Sequence, residues 1–191
     1  MNTVRPFTTA DAAAGPRSMI VAQPSALAPR LMLVANRASR AVVDGGWWPR
    51  SWDAAAELAD LVPALSARFG PIRQVMLCSG TWEGRFRRLK VGETIVRLGW
   101  FASLDPALLV ALTHRGDQID LMVVPPSAGQ VAAEQAMRAA AEPGNLKRAA
   151  AILAAATASP IARVVEVDGA LAEAVWDNEG GSIAANGARP S

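Results

Sequence analysis

Two glycine-containing turns between short apolar segments constrain the fold of this chain more than any other feature. Gly92-Glu93 and Gly116-Asp117 each separate two segments in which polar and apolar residues alternate. Glycine at the first position of a two-residue loop favours a type II′ turn, which joins neighbouring antiparallel strands. The sequence therefore predicts two β-hairpins, one around each turn.

The first hairpin is expected to bring two arginines together. Its two-residue loop sets a register in which Arg88 lies directly opposite Arg97 on one face of the sheet. That face also carries Lys90 and Phe86, so basic side chains and an aromatic ring are interleaved on it. Phe86 and Leu89 are both apolar and three residues apart, so a bulge between them would change this register.

The second hairpin predicts the environment of the single histidine. Its register places seven residues on one face: Leu108, Val110, Leu112, His114, Ile119, Leu121 and Val123. This placement near the turn favours a half-buried structural role for His114. A catalytic histidine would need an orienting carboxylate and a nucleophile, and the nearby Asp120 points to the other face.

Apolar residues at helical spacing predict one helix on either side of the strand-rich segment. Ser51 is a suitable N-cap for the first helix, which Pro63 is expected to kink or divide. The core-facing residues of this helix would be Leu58, Leu61, Val62, Leu65 and Phe69. Ser127 can cap the second helix. The prediction is an α+β fold of two layers, with a mostly antiparallel sheet built from hairpins and two flanking helices.

Composition shifts along the chain set the expected domain boundaries. Residues 1–29 are rich in alanine, proline, threonine and serine without periodicity, which predicts a disordered N-terminal arm. Residues 30–143 hold the predicted strands and both helices, and they form the α+β domain. Residues 144–191 are expected to hold an alanine-rich helical segment followed by a disordered C-terminal tail.

The overall composition indicates a protein with its own apolar core. Apolar residues make up 51% of the 191 residues, which suffices to bury a core without metal or disulfide support. The lone cysteine, Cys78, cannot form an internal disulfide and so favours a reducing compartment. The sequence shows neither a secretory signal nor an apolar segment of about 20 residues that could span a membrane. We therefore expect a cytoplasmic protein without a membrane partner.

Four sequence blocks occur in order along the predicted domain. They are DGGWWPRS at 44–51, AEL at 56–58, VRLGW at 96–100 and DLMVVPP at 120–126. Together they resemble an actinobacterial family classified as domain of unknown function number 5994, over about residues 30 to 140. The resemblance implies a cytoplasmic protein from an actinomycete, and it brings no activity, cofactor or catalytic residue.

The functional hypothesis, binding of an anionic partner, rests on the two arginines that face each other. Like charges directly opposite each other destabilise a sheet by up to about 1 kcal/mol, so this pair needs an offsetting interaction. An internal acid such as Glu83, solvent exposure or a bound anion would each provide one. The predicted partner is a nucleic acid or a small anionic ligand. The candidate binding residues are Trp47, Trp48, Arg50, Phe86, Arg88, Lys90 and Arg97.

Two other functions remain open at this stage. The first is a small enzyme that binds a carboxylate or phosphate ligand in a pocket between the sheet and the helices. The second is a protein–protein interaction module, in which an exposed Trp47 or Trp48 docks on its partner. No catalytic residue and no cofactor is predicted. No metal ligand is predicted either, because one cysteine and one histidine cannot complete a four-ligand metal site.

Overall fold

The structure, a computed structural model, describes residues 19–25, 27–35 and 41–158. The strands within these ranges are β1 (Ile20–Ala22), β2 (Leu31–Leu33), β3 (Gly45–Trp47), β4 (Ile72–Cys78), β5 (Arg88–Val91), β6 (Thr94–Phe101), β7 (Leu108–Thr113) and β8 (Gln118–Val123). The helices are α1 (Ala54–Phe69), α2 (Gln130–Ala140) and α3 (Ala149–Thr157). None of these helices is both long enough and apolar enough to cross a membrane.

The strands form one mixed sheet in the order β1-β5-β6-β4-β7-β8-β3-β2. Four neighbouring pairs are antiparallel: β5–β6, β4–β7, β7–β8 and β2–β3. The other three pairs are parallel: β1–β5, β4–β6 and β3–β8. The predicted α+β class and the mostly antiparallel sheet are therefore confirmed. Each parallel pair joins strands that are far apart in the sequence. No turn residues connect them directly, so the turns in the sequence did not predict the parallel pairing.

The first turn sets the register that its sequence predicts. In the β5–β6 pair, Arg88 lies opposite Arg97 and Val91 lies opposite Thr94. Before β5 the prediction is wrong, because Phe86 is fully buried and its ring contacts Trp100 at a centroid distance of 5.9 Å. The ladder ends at Arg88, and both residues between the buried side chains at 86 and 89 are exposed.

The predicted register of the second turn is wrong. Leu112 lies opposite Gln118, so the chain reverses over residues 113–117 rather than over two residues. Thr113 and Asp117 close this longer turn: the Thr113 N–H donates to the Asp117 carbonyl at 3.0 Å, and the Thr113 hydroxyl donates to the Asp117 carboxylate at 3.1 Å. As a result, Leu109 and Ala111 face the main core, in place of the predicted Leu108, Val110 and Leu112.

The helices lie on opposite faces of the sheet, so the predicted two-layer arrangement needs correction. Leu121 of β8 belongs to the main core cluster, together with Leu58 and Leu61 of α1. The next residue, Met122, belongs to a second cluster with side chains from α2 and α3, including Met137. Since successive side chains of a strand point to opposite faces, α1 covers one face and the other two helices cover part of the second.

The N-terminus of α1 differs from its prediction in detail. Asp53 is the N-cap, and its carboxylate accepts hydrogen bonds from two backbone N–H groups of the first turn, at 2.9 and 3.2 Å. Ser51 instead donates its N–H and its hydroxyl to the buried carboxylate of Glu57, at 2.8 and 2.9 Å. Pro63 lies within one continuous helix, which it does not divide.

Part of the predicted N-terminal arm belongs to the sheet. Ile20–Ala22 form β1, which pairs in parallel with β5 and places Ile20 and Ala22 against the main core. The expectation of a disordered arm over residues 1–29 is therefore wrong for these residues, because alternate apolar side chains can be buried there. Residues 1–18 and the expected C-terminal tail beyond residue 158 lie outside the described residues.

Gly46 in β3 marks a close approach of α2 to the sheet. A Cβ atom at this position would lie 2.9 Å from the backbone Cα of Met137 and 3.2 Å from the terminal methyl of Met122. The second core cluster packs around this contact. A side chain at position 46 would therefore push the helix away from the strand.

We expect Gly46→Ala to lower the free energy of unfolding by about 1–3 kcal/mol, because the extra methyl group overpacks a filled interior. Urea denaturation measures this change. Gly80→Ala is the matched control, since a Cβ there meets nothing within 4 Å, and it should leave stability within about 1 kcal/mol of the wild type. Equal stability of the Gly46→Ala protein and the control would contradict the close packing of α2 on β3.

Candidate functional site

The second face of the sheet is only partly covered by helices. The cluster beneath α2 and α3 takes its strand side chains from β2, β7 and β8, including Met32, Leu108 and Met122. Strands β4, β5 and β6 contribute no side chain to it. We call the part of the second face formed by these three strands the open face.

One row of side chains crosses the open face from strand to strand. Arg88 on β5 lies opposite Arg97 on β6. Arg97 is in register with Gln74 on β4, and Gln74 is in register with Leu112 on β7. Neighbouring strands lie about 4.8 Å apart, so the side chains of Arg88 and Arg97 leave adjacent strands side by side.

A β-bulge adds a third arginine to this surface. The pairing of β4 with β7 shifts between Ile72 and Gln74, which leaves Arg73 as the extra residue. Ile72 and Val75 are both buried in the main core, so Arg73 and Gln74 lie outside it. The Nε of Arg73 donates to the carbonyl of Thr113 at 3.0 Å, which fixes this guanidinium at the end of β7.

A cavity of about 380 Å³ lies over these residues. Its lining consists of Arg73, Gln74, Arg88, Ile95, Arg97 and His114. No carboxylate occurs among the described residues of the lining, and Arg88 and Arg97 have no ion pair within the described ranges. The cavity is therefore cationic, and its guanidinium groups present free donors to solvent.

His114 lies at this cavity and not in the half-buried environment that the sequence predicts. The five-residue turn carries it beyond the end of β7, where its backbone N–H donates to the carbonyl of Pro71 at 2.9 Å and its side chain is exposed. Cys78 lies at the opposite end of β4, about 20 Å along the strand. A Cys78–His114 catalytic pair is therefore ruled out by distance.

The predicted tryptophans are not part of an exposed surface. Trp47 is buried and stacks on Trp82 with ring centroids 5.4 Å apart. Trp48 is 9% exposed, and the guanidinium of Arg30 lies 3.6 Å above its ring. The two side chains do occupy opposite faces, since Trp47 packs in the main core and Trp48 in the second cluster. An interaction module that docks through either ring is therefore contradicted.

Arg50 is held away from the cavity by contacts of its own. Its guanidinium donates to the carbonyl of Ala28 at 2.9 Å. Its neighbour Arg30 donates to the carbonyls of Trp48 and Pro49. Burial lowers the pKa of Arg30, the charge of Arg50 lowers this pKa further, and Glu57 raises it in part. These two arginines serve to hold the segment before β2 against the chain after β3.

The structure thus brings together some of the predicted binding residues with others that the sequence did not suggest, and their binding role stays a prediction. Arg88 and Arg97 come together at the cavity, and Lys90 lies on the same face, opposite Ile95 and outside the lining. Phe86 is buried in the core and is not part of the exposed surface. Sequence reasoning missed Arg73, Gln74, Ile95 and His114. The apolar residues at 72 and 75, three positions apart, were the one signal that could have revealed the bulge.

Metal binding has no support in the described part of the chain. No three histidine, cysteine or carboxylate side chains within residues 19–25, 27–35 and 41–158 are placed so that they could hold a metal ion. The chemistry available at the cavity is therefore that of arginine, glutamine and histidine side chains.

Comparison with known proteins identifies a family for this chain. No curated protein and no solved structure matches it. A family model described as a family of unknown function (DUF5994) matches residues 30–140, which include all the described residues that line the cavity. These 111 residues are more than half of the 191 in the chain. The chain therefore belongs to this family of unknown function, DUF5994.

Proposed function

We propose that this domain binds an anionic ligand, without catalysing a reaction, at the cavity on the open face. One observation carries the proposal: Arg73, Arg88 and Arg97 line a single cavity, and no carboxylate is among its described lining residues. Guanidinium groups donate paired hydrogen bonds to phosphate and carboxylate oxygens, and they stay charged at physiological pH. Gln74 and His114 add further polar side chains at the same cavity.

The opposed arginines give an energetic reason for an anion at this place. Arg88 and Arg97 face each other in one ladder, where like charges repel, and both side chains are exposed to solvent. Glu83 is not among the described residues that line the cavity. Its backbone instead forms an isolated β-bridge with Asp53, the residue before α1. An anion between the two guanidinium groups would add two attractive interactions at shorter distance, which together outweigh the repulsion between the cations.

The position of the cavity favours binding over catalysis. The enzyme alternative requires a pocket between the sheet and the helices, whereas this cavity lies where the described helices do not cover the sheet. General acid–base or nucleophilic chemistry would require matched groups within hydrogen-bond reach of the ligand. Within the described lining, His114 is the only side chain suited to such chemistry.

The setting of the protein is also part of the proposal. The four sequence blocks support an actinobacterial source. A single buried cysteine, Cys78, supports a reducing compartment such as the cytoplasm.

Joint replacement of Arg88 and Arg97 by alanine tests the site directly. Hydrogen bonds to charged groups contribute about 1.5–3 kcal/mol each, so we expect the double variant to bind pyrophosphate or citrate at least about a hundredfold more weakly. Isothermal titration calorimetry at low ionic strength measures this loss. In the wild type, affinity should fall as salt is raised, because the cavity is open to solvent.

Arg50→Ala is the matched control for charge, since it removes an arginine that lies outside the cavity. It should bind both anions as the wild type does. Flat titrations of the wild-type protein with both anions at low salt would rule out the proposed function. An equal loss of affinity in the control would show that net charge, and not the cavity, governs binding.

The repulsion between the two arginines predicts an effect on stability in the absence of ligand. Arg97→Gln removes one charge with similar side-chain bulk, whereas Arg97→Lys keeps the charge. We expect the glutamine variant to be more stable than the lysine variant by a few tenths of a kcal/mol up to about 1 kcal/mol. Urea denaturation without added anion measures the difference, and equal stability would mean that exposure already removes the repulsion.

A further inference from the structure

An exposed aromatic ring lies on the open face, outside the described lining of the cationic cavity. Phe101, the last residue of β6, is 44% exposed. A Cβ atom at Gly99 would lie 2.7 Å from Cε2 of Phe101 and 3.3 Å from Cγ of Met76. The ring of Phe101 therefore lies over Gly99, on the side of β6 that also carries Arg97.

The spacing between the charged and aromatic groups is set by the strand. Gly99 follows Arg97 by two residues on β6, which corresponds to about 6.6 Å along the strand. The ring of Phe101, which lies over Gly99, is therefore offset along β6 from the backbone of Arg97 by roughly the length of one sugar unit. Ile95, which is 50% exposed, lies on the other side of Arg97 and borders the cavity there.

We propose that the ligand of this site is a nucleotide, whose phosphate binds Arg88 and Arg97 and whose base stacks on Phe101. This inference rests on the proposed function, because it assigns a chemical class to the anion. Surfaces that bind nucleotide units without sequence preference combine cationic groups for phosphate with aromatic rings for base stacking. In a nucleotide, the ribose separates the phosphate from the base by a length comparable to this offset along β6.

The same geometry disfavours simpler anions as the intended ligand. A carboxylate or an inorganic phosphate would use only the arginines and would leave the exposed ring of Phe101 without a partner. Lys90 extends the positive charge along β5, beyond the described lining of the cavity. A second phosphate of a nucleotide strand would meet this charge. Both a free nucleotide and a nucleotide within a single strand fit this chemistry.

Phe101→Leu is the decisive variant, because it removes the aromatic face and keeps an apolar side chain. Isothermal titration calorimetry with adenosine monophosphate, ribose 5-phosphate and pyrophosphate separates the contributions of base, sugar and charge. We expect the wild type to bind adenosine monophosphate more tightly than ribose 5-phosphate. The leucine variant should lose about 5- to 150-fold in affinity for adenosine monophosphate and keep its affinity for pyrophosphate.

Phe101→Tyr is the control that keeps the ring, and it should bind adenosine monophosphate as the wild type does. A ten-nucleotide single-stranded RNA, followed by fluorescence anisotropy, distinguishes the two sources of the nucleotide. Binding of the RNA more tightly than the monophosphate, with the same loss in the leucine variant, assigns the site to a nucleic-acid strand. Tighter binding of the monophosphate assigns it to a free nucleotide.

The proposal fails if adenosine monophosphate binds no more tightly than ribose 5-phosphate, or if Phe101→Leu leaves its affinity unchanged. The proposed function still stands in that case, provided that pyrophosphate binding is lost when Arg88 and Arg97 are replaced. Absence of binding of both pyrophosphate and citrate in the wild type would overturn both proposals. Thermal unfolding of each variant checks that the exposed substitution leaves the fold intact.

Discussion

The unequal cover of the two sheet faces governs the rest of this structure. One face packs against α1 and holds the main core, in which large side chains from most strands meet. The other face is covered by α2 and α3 only around β2, β3, β8 and part of β7. Along β5 and β6, buried side chains therefore alternate with exposed or partly exposed ones over most of their length, and the exposed set includes the arginine pair. The candidate site is a direct consequence of this partial cover.

Local geometry explains which parts of the fold could be predicted from the sequence. A two-residue loop fixes its own register, so the glycine turn at 92–93 was enough to place Arg88 opposite Arg97. The second turn contains a similar glycine, but hydrogen bonds between Thr113 and Asp117 stabilise a longer loop that shifts the pairing. Parallel pairs such as β4–β6 and β3–β8 join distant segments, and no short sequence signal specifies them.

The errors in the predicted site have the same origin. Trp47 and Trp48 fall at an interior position of the sheet, because β2 and β8 pair with β3 on its two sides and helices cover the second face there. Both rings are buried as a result. Arg73 and His114 reach the cavity through a bulge and a long turn, which are departures from regular alternation. A periodic sequence pattern predicts regular strands, whereas part of this site lies at a bulge and at a long turn, where the regular alternation of side chains stops.

The unequal hydrogen bonding of the three arginines bears on the kind of anion that the proposed site would hold. Arg73 is fixed by its hydrogen bond to Thr113, whereas the guanidinium groups of Arg88 and Arg97 make no hydrogen bond within the described part of the chain. Ordering two such side chains costs up to about 2 kcal/mol each. A singly charged anion in an exposed site recovers little of this cost, because water and salt screen its attraction. An anion with several charged oxygens could contact all three guanidinium groups at once, so the proposed site would favour a multiply charged ligand.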